Sequence, residues 1–113
     1  MMKIMQEIND FVNERDWGQF HTPKNLAGSI VIETAELMEC FQWDSPSAGE
    51  LALNNDRMIS IKEELADVMI YTIRLCSILS LDPIEIMGEK LEENRKKYPI
   101  KLSRGSPKKY DDL

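Results

Sequence analysis

Histidine is nearly missing from this chain. His21 is the only one in 113 residues, so any site built from several imidazoles is excluded. A ferritin-like di-iron centre needs two Glu-x-x-His motifs and has no ligands here. Cysteine is scarce as well. Cys40 and Cys76 are spaced for neither zinc nor a CxxC redox pair, and both read as small buried hydrophobes. No GxxxxGK[ST] loop occurs. No apolar run reaches the roughly 18 residues that a membrane span requires. Glu7 and Asp10 interrupt any signal-like core near the N-terminus, so the expected location is the cytoplasm. Positive charge is short: 14 Lys and Arg face 20 Asp and Glu, for a net charge of −6. There is no basic stripe, and nucleic acid is not an expected partner. An acidic chain also repels polyphosphate unless a cation intervenes.

What is present is helical. The length suits a single domain, read as residues 1–113 with an irregular tail from about residue 98. Ile4, Met5, Ile8, Phe11 and Val12 recur at helical spacing and predict a first helix over about 2–13. A polar aromatic loop follows, from Arg15 to His21. Thr22-Pro23 is a cap-plus-proline start for a second helix running to about Gln42. Residues 43–55 read as loop, with a short helical turn near 49–53. A third helix is expected over about 56–81. Its half from Leu65 to Leu81 is apolar nearly all round, so it has to be covered on most sides, by its own bundle or by another subunit. Asp82-Pro83 opens a fourth helix that ends near Lys97. Nothing alternates like a strand. The fold class is all-α.

Two carboxylate pairs stand out. Glu33 and Glu36 are three apart on the second helix, and Glu64 and Asp67 are three apart on the third. Residues at that spacing share a helix face, with Cβ atoms about 5–6 Å apart. Glu33 lies among Ile30, Val31, Ile32 and Ala35, and Asp67 among Leu65, Val68, Met69 and Ile70. Half-buried like charges are costly without compensation. Lys62 and Arg74 are the basic candidates nearby, too few for four acids. A hard divalent cation, Mg²⁺ or Mn²⁺, would resolve the conflict. A solvated acidic face is the plainer alternative.

The ordered blocks around these acids resemble a known group. They are Glu14-Arg15-Asp16-Trp17-Gly18-Gln19-Phe20-His21, Pro23-Lys24-Asn25-Leu26, Phe41-Gln42-Trp43, Glu63 to Tyr71, Asn94 to Pro99, and Ser103 to Ser106. With Glu33-x-x-Glu36 and Glu64-x-x-Asp67, they resemble the all-α nucleotide pyrophosphohydrolase (MazG-like) superfamily over nearly the whole chain. Within it, the dCTP pyrophosphatase branch is the most similar. The resemblance implies a helical bundle of four main helices, completed by assembly into dimers or dimer-of-dimers tetramers. It implies Mg²⁺, with Mn²⁺ as a substitute, on Glu33, Glu36, Glu64 and Asp67. It implies hydrolysis of a nucleoside triphosphate, dCTP or a modified dCTP first, to monophosphate and pyrophosphate. The same reaction on dUTP or other triphosphates is the alternative, and a non-enzymatic helical regulatory dimer is the alternative of another class. The resemblance further implies that Trp17, His21, Trp43 and Tyr71 contact the nucleotide. One departure is visible: Ile8 stands where the dCTP-specific members carry a histidine.

Chemistry suits these roles. Indole faces stack on bases. His21 is a hydrogen-bonding group for base or sugar. Tyr71 is four residues from Asp67 and shares its helix face. Lys90, Asn94, Arg95 and Lys96 on the fourth helix are candidates for phosphate oxygens, with Lys90 and Asn94 on one face.

Overall fold

The computed structural model describes residues 2–113, and among them it is helical with no strand. Its helices are α1 (Lys3–Glu14), α2 (Pro23–Glu39), α3 (Ala48–Ala52), α4 (Asn55–Ile78), α5 (Pro83–Lys97) and α6 (Ile100–Ser103). The chain divides into two compact units, one ending at Ser80 and one beginning at Leu81.

In the first unit, local chemistry sets most helix starts. The Thr22 hydroxyl accepts from the Asn25 amide at 3.2 Å, and Pro23 takes the first helical position of α2. Ser47 and Asn54 cap α3 and α4 in the same way. The expected short turn near 49–53 is thus the helix α3, which starts earlier because Ser47 caps it. Helix ends fall short of the periodic pattern. α2 stops at Glu39, where expectation ran to Gln42, and turns over Cys40 to Gln42. α4 stops at Ile78, and Ser80 adopts a left-handed backbone with φ 56°. That conformation cannot continue a right-handed helix.

α2 packs chiefly against α4, and α1 and α3 also pack on α4. The core is small: Met5, Ile8 and Val12 from α1, Leu26 from α2 and Cys76 from α4 are buried. Of the two cysteines, only Cys76 is fully inside. The apolar half of α4 is only partly covered within the chain, since Leu65, Met69 and Ile70 are exposed, as is Leu79 just past its end. Val31, Ile32 and Met38 on α2 are exposed as well. No helix among the described residues is long and apolar enough to cross a membrane.

In the second unit, the Asp82 carboxylate accepts from the amides of Ile84 and Glu85 and starts α5. Arg95, Lys96 and Lys97 occupy its last turn, where the helix dipole favours cations. The tail is not wholly irregular: α6 forms, and Tyr110 packs edge-to-face on Tyr98 with ring centroids 6.1 Å apart.

Candidate active site

The carboxylate pairs meet where α2 crosses α4. Oxygens of Glu33, Glu64 and Asp67 all lie within 4.8 Å of one another. Glu36 adjoins both Glu33 and Glu64. One Oε of Glu33 and one of Glu64 are buried without a hydrogen-bond partner among the described residues. No lysine or arginine among those residues forms an ion pair with any of the four. Glu33 and Glu64 are both held above the ordinary carboxylate range. Burial is the first cause, the touching Glu36 carboxylate the second, and repulsion from the other acids the third. Orphaned oxygens, an all-oxygen donor set and clustered negative charge fit a hard divalent cation such as Mg²⁺ or Mn²⁺. Glu33, Glu64 and Asp67 would hold it, with Glu36 beside them.

Further along α4 lies a cavity of about 300 Å³. That is the lower end of the range for small-molecule sites. Ile4, Ile8, Phe11 and Val12 of α1 form its apolar wall, and Glu7 joins them. Ile70, Tyr71 and Arg74 come from α4, and Trp17 and His21 from the loop between α1 and α2. These α4 positions follow Asp67 at helical spacing.

The loop is held by its own hydrogen bonds. Asp16 takes a left-handed backbone with φ 55°, which ends α1. The Trp17 amide then donates to the Val12 carbonyl at 3.1 Å. The Trp17 ring packs edge-to-face on Phe11, centroids 5.6 Å apart. A single helical turn, Gly18–Phe20, leads to His21, and the Asn25 side chain donates to the Phe20 carbonyl at 3.1 Å.

His21 is fixed by Arg74. The Arg74 Nε–H donates to His21 Nδ1 at 3.1 Å, which places the imidazole proton on Nε2. Burial, and then the Arg74 charge, hold the His21 pKa below its usual value. The ring is therefore neutral at pH 7. Arg74 also donates through NH1 to Asn9 Oδ1 at 2.8 Å, and Asn9 Nδ2 donates to Ser77 Oγ at 2.8 Å.

The structure thus brings Glu33, Glu36, Glu64 and Asp67 into one cluster, and Trp17, His21 and Tyr71 into one cavity. Trp43 is elsewhere: it is 89% exposed in the loop after α2 and does not line the cavity. That loop is held by Arg57, which donates to the Cys40 carbonyl and to the Asp44 carboxylate. Lys90, Asn94, Arg95 and Lys96 lie on α5 in the second unit. There Lys90 pairs with Glu93 at 3.5 Å and Arg95 with Glu92 at 2.9 Å, so both cations already have acidic neighbours. Sequence reasoning missed Arg74 as a cavity residue and read it only as a cation near the acids. Its position three residues past Tyr71 and seven past Asp67 was the available signal.

Known proteins share this arrangement of helices. The chain is similar to a pyrophosphatase from Archaeoglobus fulgidus known from its crystal structure, with 43% sequence identity and a TM-score of 0.78. The match covers 86% of this chain and 90% of that one. It is 43% identical over 105 residues to dCTP pyrophosphatase 1 of Rattus norvegicus, and 39% identical over 106 residues to that of Homo sapiens. Those matches cover 92% of this chain but 62% of the relatives, so the chain spans less than two thirds of their length. Residues 29–113 match the MazG-like family as a whole. The chain belongs to the MazG-like family.

Proposed function

We propose that the chain hydrolyses a nucleoside triphosphate between the α- and β-phosphates, giving the monophosphate and pyrophosphate. The observation that carries this reading is the succession along α4. Glu64 and Asp67 contribute to a carboxylate cluster, and Tyr71 and Arg74 wall a cavity about one to two turns beyond. Such a site can hold a polyphosphate at one end and a base at the other. The pyrophosphatase and dCTP pyrophosphatase relatives support the same reaction, with dCTP or a modified dCTP as the first substrate.

A divalent cation on the carboxylates would neutralise the phosphate oxygens and acidify an attacking water. The protein's part is placement and proton transfer. Glu33, Glu64 and Asp67 would hold that cation at the polyphosphate end, and Trp17 offers an aromatic face for the base. As water attacks the α-phosphorus, its P–O bond forms and the bond to the pyrophosphate oxygen breaks. A carboxylate takes the water's proton. Glu33 and Glu36 are the candidates.

Glu36→Ala and Asp67→Ala should each abolish turnover while circular dichroism stays helical. Turnover in heavy-oxygen water should label the monophosphate, and pyrophosphate should be the direct product. Orthophosphate as the first product, or near-normal activity in either variant, refutes the assignment. The exposed apolar residues Val31, Ile32, Met38, Leu65 and Met69 support a homodimer, or a pair of dimers, as the working form. Analytical ultracentrifugation tests it, and a monomer at working concentration refutes it.

A further inference from the structure

The geometry points to Arg74 as a positioning residue: it fixes His21 as an Nε2–H donor, which the nucleotide meets with an uncharged acceptor, a base carbonyl or a sugar oxygen. This rests on the reading of the cavity as the nucleoside end of a nucleotide site. Arg74 is 9% exposed, and no carboxylate among the described residues pairs with it. Burying a guanidinium without an anion is costly. What the charge holds instead is a directional chain of neutral groups. Ser77 Oγ accepts from Asn9 Nδ2 at 2.8 Å, and Asn9 Oδ1 accepts from Arg74 NH1 at 2.8 Å. The Asn9 amide is thereby fixed in one orientation, and the guanidinium is gripped from the α1 side. Its Nε–H is left to donate to His21 Nδ1 at 3.1 Å. The chain of bonds joins α1, α4 and the loop, so both helices set the place of the imidazole.

An imidazole so held has one state to offer. Guanidinium nitrogens only donate, so Nδ1 must carry a lone pair, and the proton of the neutral ring sits on Nε2. Burial and the Arg74 charge oppose a second proton. Among the described residues Nε2 has no partner, yet it is not sealed in the interior. The backbone is restrained as well, since the His21 amide donates to the Gly18 carbonyl at 3.1 Å. His21 lines the cavity beside Trp17, Tyr71 and Arg74. A neutral N–H donor there suits a carbonyl or ether oxygen. A phosphate would be better served by an imidazolium, which this arrangement disfavours. Arg74 thus acts on the ligand through His21 and needs no contact of its own.

The test separates the donor from the charge. Arg74→Met keeps the stem and removes every donor, whereas Arg74→Gln restores an N–H at the depth of Nε without the charge. Because His21 is the only histidine, its ring-nitrogen NMR shifts report the tautomer directly. The full chain should show Nε2 protonated at neutral pH, Arg74→Gln should keep that form, and Arg74→Met should give a mixture. Affinity is read by calorimetry with Mg²⁺ and the α,β-imido analogue of dCTP, which is not cleaved. The dUTP or dATP analogue takes its place if it binds more tightly. Arg74→Met should weaken binding by about fivefold to tenfold, the worth of one hydrogen bond, and Arg74→Gln should stay within about twofold of the wild type. In a His21→Ala background Arg74→Met should cost nothing further, because the two residues act as one. A base-free probe, deoxyribose phosphate, should feel His21→Ala only if the acceptor is a sugar oxygen. A protonated Nδ1 in the wild type overturns the proposal, and that measurement needs no variant to fold. Additive losses in the double variant also overturn it, as does Arg74→Gln binding no better than Arg74→Met. Coupled binding losses without hydrolysis of the triphosphate would refute the catalytic reading alone. Hydrolysis with the two residues uncoupled would refute this one alone.

Discussion

Leu26→Ala should cost more than any other single truncation in α2. Leu26 is 1% exposed, and among the described residues it is the largest side chain that is wholly enclosed. Removing three carbons forfeits about 2.4 kcal/mol, at roughly 0.8 kcal/mol per buried carbon. A residual cavity raises the total, since buried Leu→Ala changes span about 2–5 kcal/mol. A domain of this size has about 6–17 kcal/mol to lose. With a urea dependence of about 1–3 kcal/mol per molar, the midpoint should fall by about 1–2 M. The assay is urea unfolding followed by helical circular dichroism, at one fixed protein concentration. Leu53→Ala is the control: Leu53 is 91% exposed, and its change should stay within about 0.5 kcal/mol. Equal shifts in the two variants would refute the idea that Leu26 anchors the core. The consequence reaches the site, because Glu33 follows Leu26 by seven residues, close to two helical turns.

Three further outcomes follow from the electrostatics and the loop. Glu33 and Glu64 are raised in the fold, so their protonated forms are favoured by folding. Their contribution is full below the unfolded carboxylate value and lost as pH rises through the raised values. Cation-free protein should therefore gain melting temperature, relative to a Glu33→Gln/Glu64→Gln variant, as pH falls from neutrality toward the ordinary carboxylate value; Mg²⁺ at neutral pH should raise the wild type selectively, and parallel curves would refute the cluster. His21 is lowered, so its contribution is present above the ordinary histidine value and lost as pH falls through the depressed one. Being the only histidine, it can be titrated directly by proton NMR, and Arg74→Gln should move its midpoint upward. Arg57→Ala should free the segment around Trp43 and speed proteolytic cleavage there, with helicity unchanged; an unaltered cleavage rate would show that the Arg57 bonds do not restrain it.

Helix starts were legible because they are local. Thr22-Pro23 and Asp82-Pro83 announce themselves through a capping oxygen and a fixed φ. Helix ends were not. Ser80 takes a left-handed backbone that Gly or Asn would have signalled, and the apolar pattern runs on past it. The carboxylate pairs were legible as pairs, since three-residue spacing fixes a face within one helix. That α2 would lay its pair on that of α4 is a matter of tertiary packing. Trp17 and Trp43 look alike in sequence, each beside an end of the second predicted helix. The structure separates them because Asp16 and the Trp17 amide fold one loop back onto α1, while Arg57 holds the other near the far end of α2. Arg74 was hardest to read. Its neighbours are apolar, and its long side chain reaches partners 53 and 65 residues away in sequence.

Glu64, Asp67, Tyr71 and Arg74 share one unbroken helix, and that continuity makes α4 a ruler. From Asp67 to Arg74 the axial rise is about 10 Å, and it does not depend on any loop. A ligand engaging both ends is measured for length by a rigid rod, whereas a loop-built site would stretch to accommodate it. The same rod fixes phase. One residue inserted between Asp67 and Tyr71 would turn one end by about 100° relative to the other. Carboxylates and cavity would then face different sides of the helix, each locally intact and neither able to serve the other.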